Sequence, residues 1–174
     1  MKKTQKIDRD IDKRASKKKQ IIRFAVLYTL FFVSLSYLYI ILQENLNFLN
    51  IFTAEILFSL LKMLGMDISV AGSSLFMGSF SMIIIDECTG IYELIVYLAC
   101  VLAYFTTPKK KFIGIAIGIP IILSINMVRL VFLAFIGVWF PDIFDYVHYY
   151  IWQVTLILLV ALTVLIWFEK VVKK

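Results

Sequence analysis

The chain has 174 residues, of which 61% are hydrophobic and 17% charged, and its mean hydropathy is +0.90. A soluble domain of this length exposes too much of its surface to hide so much apolar area, so the composition excludes a soluble globular protein and indicates a membrane domain. The net charge is +6, but ten of the eighteen basic residues lie in the first 23 positions. This distribution favours a tail that sets topology and contacts anionic lipid over binding of nucleic acid.

In chain order, residues 1–20 are predicted to form a basic cytoplasmic tail, and residues 21–174 a single membrane domain. A helix needs about 20 apolar residues to cross the hydrocarbon core of a bilayer. Four runs of this kind predict spans at about 21–43, 87–106, 112–139 and 148–168. No small-residue cleavage site follows the first run at the usual distance, so we expect that run to be retained as a span.

Two further elements are predicted between the first and second spans. Residues 48–65 are short, carry Glu55 and Lys62, and suit an amphipathic helix in the outer interface. Its expected apolar face comprises Ile51, Ile56, Leu60 and Met63. Residues 66–85 alternate with period two across 76–84, which predicts a small β-hairpin outside the hydrocarbon.

The orientation follows from the basic residues, which concentrate on the cytoplasmic side of membrane proteins. The N-terminal tail, the run Lys109–Lys111 and the C-terminal lysines all reach the cytoplasm if there are four spans. Residues 44–86 and 140–147 then lie outside the membrane. A fifth span would leave one basic segment on the wrong side. The predicted fold is therefore an all-α protein of the cell membrane with about four spans, an outer amphipathic helix and a small β-hairpin.

Three chemically capable side chains lie at a similar predicted depth. Cys88 begins the second span at the outer boundary, and the only histidine, His148, begins the fourth span at that boundary. Arg129 lies 17 residues into the third span, about 26 Å from its cytoplasmic end. The topology therefore predicts that a thiol, a guanidinium and an imidazole meet near the outer face.

Arg129 also has a structural interpretation. An arginine within a span is costly, so it is either functional or paired. Asn126 lies one turn before it, and Glu93 of the second span is a candidate countercharge. A Glu93–Arg129 pair alone would fit a non-catalytic assembly or scaffold protein.

Cys88 differs from Cys100, which lies halfway along the same span and is interpreted as a small apolar filler. A helix start favours the thiolate of Cys88, although the two preceding carboxylates oppose it. Together with Arg129 and His148, this thiol suits nucleophilic acyl transfer.

Several other classes of protein are disfavoured. Cys88 and Cys100 are about 18 Å apart along a continuous helix, too far for a disulfide. One histidine and no HExxH motif argue against a zinc protease. Ser124 lies mid-span, away from the depth of His148, which argues against a rhomboid-like serine protease. The spans carry too few polar groups for a transporter.

The segment 86–152 resembles the exosortase/archaeosortase family of membrane cysteine transpeptidases. The matching features are Cys88-Thr89-Gly90 at the start of one span, Asn126-x-x-Arg129 in the next, and His148 at the head of the following one. The pairing of the first two motifs is fairly specific, whereas the histidine by itself is not.

The resemblance implies that Cys88 is the nucleophile, that Arg129 stabilises the oxyanion and that His148 transfers protons, with no metal or cofactor. It implies substrates that end in a short motif, a hydrophobic span and a basic tail, and a lipid or glycan acceptor at the cell surface. The chain departs from the family in having only about four spans. It also places Glu93 one turn below Cys88, where a small or weakly polar residue is expected.

Overall fold

The computed structural model describes the backbone of residues 2–172 and the side chains of residues 16–150, 154, 155 and 157–172. The two C-terminal lysines, which enter the predicted topology, lie outside the described residues. Within them, the α-helices are Lys2–Leu42 (α1), Phe48–Met63 (α2), Ile91–Ala103 (α3), Pro108–Trp139 (α4) and Phe144–Trp167 (α5). The strands are Ser69–Ala71 (β1), Ser74–Met77 (β2) and Phe80–Ile83 (β3). The protein is thus mostly helical, with one small sheet.

In the described part of the chain, two helical segments are long and apolar enough to cross a membrane, fewer than the four spans predicted. They are Ser16–Leu46 and Pro108–Trp139, which correspond to the first and third predicted spans. The α-helix in the second predicted span, α3, is shorter than expected. It has 13 residues and measures about 20 Å. It is bounded by Gly90, with φ 83°, and by Tyr104, which is extended.

The other two helices extend beyond their predicted starts. α4 begins at Pro108, because proline is well tolerated in the first turn of a helix. The lysines expected in the preceding turn therefore belong to the helix. α5 begins at Phe144, so His148 lies in its second turn and not at its first residue. A π-helical turn, Phe168–Val172, follows α5.

The predicted β-hairpin is a three-stranded antiparallel sheet in the order β1-β2-β3. Leu75 in the middle strand lies opposite Val70 of β1 and Met82 of β3. The expectation of one alternating strand through 76–84 was wrong, because Gly78 has a φ of 60° and turns the chain between β2 and β3. The alternation survives within each strand, where it decides which side chains reach the core.

α2 packs against the rest of the protein through one face. Ala54, Leu57 and Leu61 are fully buried, and they pack with the sheet and α4 in one apolar cluster. The apolar stripe named from the sequence is exposed or only partly buried, and so is not the face that packs on the protein; it comprises Ile51, Ile56, Leu60 and Met63. Because α2 is apolar around most of its circumference, packing against the sheet and α4 decides which face is buried.

A second apolar cluster holds α3 against α4 and α5. The ring of Tyr97 is fully buried, and its hydroxyl donates to the carbonyl of Gly114 at 2.9 Å. A Cβ at Gly118 would lie 2.3 Å from that ring, so only glycine permits this close approach. Glu93 lies one turn before Tyr97 on α3. The packing of Tyr97 therefore fixes which part of α4 Glu93 faces.

Candidate active site

Cys88 lies in a 3-10 turn, Asp86–Cys88, just before α3. The α-helix predicted to begin at about residue 87 begins at Ile91, three residues after Cys88. The Cys88 residue is only 4% exposed and packs in the apolar cluster of α2, the sheet and α4. A thiol buried in apolar surroundings is unreactive unless a base takes its proton. A nucleophilic Cys88 would therefore need a base nearby.

Asn126 links the Cys88 turn to α4. Its Nδ2 donates to the carbonyl of Cys88 at 2.7 Å, in a buried setting. Gly90 makes this contact possible, because it has a φ of 83° and a Cβ there would lie 3.3 Å from the Asn126 amide. Thr89 closes the turn, with its hydroxyl donating to the carbonyl of Asp86 at 2.6 Å. The residues of the Cys-Thr-Gly and Asn-x-x-Arg motifs thus contact one another directly.

Arg129 lies one turn further along α4 and reaches the same turn. Its Nη1 is 3.3 Å from Oε1 of Glu93, and both side chains are buried. Its Nη2 donates to the carbonyl of Glu87 at 3.4 Å. The Glu93–Arg129 pair considered from the sequence is therefore present, and the same guanidinium also lies beside the backbone that carries Cys88.

Two acceptor atoms at this place accept no hydrogen bond from the described part of the chain. They are Oε2 of Glu93 and Oδ1 of Asn126, both fully buried. A buried acceptor without a donor is costly. The site therefore has spare capacity to accept hydrogen bonds next to the thiol-bearing turn.

His148 lies in the second turn of α5 and is half-buried. Its ring stacks on that of Phe144, with 5.6 Å between the centroids and 8° between the planes. Phe144 packs against the apolar cluster that contains Cys88. His148 therefore adjoins that cluster from α5, while Arg129 reaches the Cys88 turn from α4.

Asp86 is a residue of the site that the sequence did not single out. Its Oδ2 accepts hydrogen bonds from the hydroxyl of Tyr39 at 2.5 Å and from Nε2 of Gln43 at 2.7 Å. Its Oδ1 accepts from Nδ2 of Asn50 at 2.7 Å. These bonds hold the pKa of Asp86 below its usual value. No spacing could reveal this set, because the donors lie 36 to 47 residues away in the sequence.

The family model described as transmembrane exosortase matches residues 16–168. This range includes the Cys88 turn, the Asn126 and Arg129 face of α4, and His148. No curated protein and no solved structure matches the chain.

Proposed function

The chain belongs to the transmembrane exosortase family, and we propose that it is a membrane-embedded cysteine protease and transpeptidase. On this proposal it cleaves a C-terminal sorting signal of surface proteins through a thioester on Cys88. It then transfers them to a lipid or glycan acceptor. Family membership supports a membrane location and an exosortase-like role.

The observation that carries the proposal is the hydrogen bond from Asn126 to the carbonyl of Cys88. It ties the turn that bears the thiol to the helix face that bears Arg129. A nucleophile and an oxyanion-stabilising cation must be held in a fixed mutual geometry, because misplacement by about 1 Å is costly to catalysis. The pairing of Gly90 with Asn126 supports that geometry, since a larger residue at position 90 would displace the amide.

The reaction would proceed as follows. His148 takes the proton of the Cys88 thiol, and the thiolate sulfur attacks the scissile carbonyl carbon. Arg129 stabilises the negative charge on the carbonyl oxygen. The C–N bond breaks, the leaving amine takes the proton from His148, and a thioester remains. An acceptor hydroxyl or amine then loses its proton to His148 and attacks the thioester, and the sulfur leaves and regains a proton.

Glu93 has a defined place in this scheme. It holds the guanidinium of Arg129 from the side of α3 while Nη2 reaches the backbone before Cys88. A counterion offsets the cost of keeping a guanidinium buried before substrate arrives. It also weakens the positive field on the oxyanion, so we propose that Arg129 shifts toward the substrate oxygen when that charge develops.

The sheet is proposed to cover the site and to limit the access of water to it. Phe80 of β3 fits against Gly137 of α4, where an added Cβ would lie 2.3 Å from its ring. Its ring also meets that of Phe144 in an edge contact, with centroids 4.9 Å apart, and Phe144 stacks on His148. Phe80 therefore connects the sheet to the start of α5. Access for substrate would require this cover to move.

The membrane arrangement proposed with this function has four spans, with both termini in the cytoplasm and Cys88 at the extracytoplasmic face. The grouping of lysines and arginines supports this orientation. α5 has 24 residues and is long enough to cross at about 1.5 Å per residue. A substrate anchored by its own span would present its cleavage site at the height of Cys88, which reduces the entropic cost of alignment.

A second candidate function is a non-catalytic membrane assembly or scaffold protein. The observation that favours it is the buried Glu93–Arg129 ion pair, which can hold α3 against α4 without any chemistry. On this proposal Cys88 is an apolar filler of the cluster beneath the sheet.

The experiment that separates the two functions is the trapping of a covalent intermediate. The full chain is expressed with a membrane protein that ends in a short motif, a hydrophobic span and a basic tail. The enzyme proposal expects a hydroxylamine-sensitive adduct that is lost in Cys88→Ala. The matched control is Cys100→Ala, a half-buried thiol on α3, which should retain both adduct and product. Full processing by Cys88→Ala without an adduct would exclude Cys88 as the nucleophile.

A further inference from the structure

A cavity of about 630 Å³ lies between the N-terminal part of α1 and the residues that follow α3, remote from Cys88. From α1 it is lined by Lys17, Gln20, Ile21, Arg23 and Phe24, and from the chain after α3 by Tyr104 and Phe105. Four of the α1 residues, at positions 17, 20, 21 and 24, recur at helical spacing on one face. The cavity is thus a groove between two elements that are far apart in sequence.

The lining divides into a charged part and an apolar part. Lys17, Gln20 and Arg23 supply two cations and an amide, whereas the other lining residues supply an aliphatic and three aromatic side chains. None of the lining residues described is acidic. The two cations, Lys17 and Arg23, lie on either side of the point at which the charged tail gives way to the apolar run, between Gln20 and Ile21. Lipid phosphates lie at such a boundary, just outside the hydrocarbon core.

The cations of the cavity differ from the lysines of α4 at the same end of the molecule. Lys110 Nζ donates to the carbonyl of Val172 at 2.9 Å, and Lys111 Nζ donates to the carbonyl of Leu102. Those two ammonium groups are engaged in capping the ends of helices. Arg23 instead lies over the ring of Phe105, with its guanidinium carbon 4.6 Å from the ring centroid. A guanidinium stacked on a ring keeps the N–H groups at its own edge available for an anion.

We propose that this cavity binds an anionic phospholipid. Lys17 and Arg23 contact the phosphate group, and an acyl chain lies along Phe24 and Phe105. The charge complementarity selects an anion, and the apolar wall selects a lipid over free phosphate. The bound lipid would bridge α1 and the end of α3, and so hold α1 in place. The proposal does not depend on whether the protein is a transpeptidase.

The test uses the full chain in detergent and native mass spectrometry with phosphatidylglycerol or phosphatidylcholine. The variant is Lys17→Gln with Arg23→Gln, and the matched control is Lys18→Gln with Lys19→Gln, two exposed neighbours that do not line the cavity. The wild type and the control should retain phosphatidylglycerol over phosphatidylcholine. The cavity variant should lose that preference by roughly tenfold. Equal loss in the two double variants would overturn the proposal, because it would show only the attraction of bulk charge.

A second variant separates a lipid from its phosphate. Phe105→Ala keeps both cations and shortens the apolar wall, so it should weaken retention of phosphatidylglycerol several-fold. Inorganic phosphate at millimolar concentration should not displace the lipid from the wild type. Displacement by phosphate, or unchanged retention in Phe105→Ala, would refute the assignment of a lipid. All the substituted side chains lie at the surface of the helix bundle, and size-exclusion elution checks that each variant is folded.

Discussion

Replacing Asp86 with alanine removes an acceptor that three other side chains share. Tyr39 of α1, Gln43 of the turn after α1 and Asn50 of α2 all donate to its carboxylate, at 2.5 to 2.7 Å. A hydrogen bond to a charged group contributes about 1.5–3 kcal/mol, and a buried donor left without an acceptor costs about as much. Tyr39 and Asn50 are buried and Gln43 is exposed. We therefore expect Asp86→Ala to lower the free energy of unfolding by about 3–5 kcal/mol.

The same contacts predict a dependence on pH. The folded state holds the pKa of Asp86 below its ordinary value of 3.8. A group with a depressed folded pKa contributes stability that is complete above the unfolded pKa and is lost as the pH falls through the folded one. Stability should therefore fall below about pH 4 in the wild type. In Asp86→Asn, which cannot ionise, this part of the pH dependence should be absent.

Two measurements check the reasoning. Thermal unfolding in detergent, followed by circular dichroism, reports stability. Labelling with N-ethylmaleimide in a Cys100→Ser background reports exposure of Cys88, which should react faster once its turn is released from α1 and α2. Asp67→Ala is the matched control, since Asp67 is an exposed acid of the same segment. Unchanged unfolding and unchanged labelling in Asp86→Ala would refute the role of this carboxylate.

Three further predictions follow from the packing around the thiol. Glu93→Gln and Arg129→Gln should each lower the free energy of unfolding by about 3 kcal/mol, because each leaves a buried polar group unpaired. The double variant should recover part of this loss. Additive losses in thermal unfolding would contradict a direct pair. Gly90→Ala should lower the unfolding temperature and accelerate labelling of the Cys88 thiol. The control is Gly78→Ala, which also has a positive φ but has no atom within 4 Å of the added Cβ. It should lower stability without changing the labelling rate. Phe80→Ala should raise the ratio of hydrolysed to transferred product in a cleavage assay, and an unchanged ratio would argue against a water-excluding cover.

Part of the site could be predicted from the sequence, because the position of a residue along a spanning helix gives its depth in the membrane. Counting residues along the helices placed Cys88 and Arg129 at a similar depth. In the structure, the guanidinium of Arg129 contacts the turn that bears Cys88. The same count could not show that Asn126 holds the carbonyl of Cys88. That bond depends on the rotation of α4 about its axis and on the left-handed conformation of Gly90.

The errors in the predicted elements have a common cause. Apolar residues are so frequent in this chain that hydrophobic periodicity alone does not determine which face of a helix is buried or where a helix or strand ends. α2 therefore packs on the protein through Ala54, Leu57 and Leu61, which no spacing distinguished from the other apolar residues. The alternating run 76–84 breaks at Gly78. α3 begins after Cys88 because Gly90 interrupts the helical geometry.

The sequence by itself determined the membrane class and the long apolar helices α1 and α4, because these depend on composition and on the length of apolar runs. Its motifs also identified the family before any geometry was considered. Only the tertiary structure decided that Asp86 joins α1 and α2 to the thiol turn, that Glu93 holds Arg129, and that Cys88 packs among α2, the sheet and α4. The physical reason is that hydrogen bonds and packing join residues tens of positions apart, and no local pattern records which of them will meet.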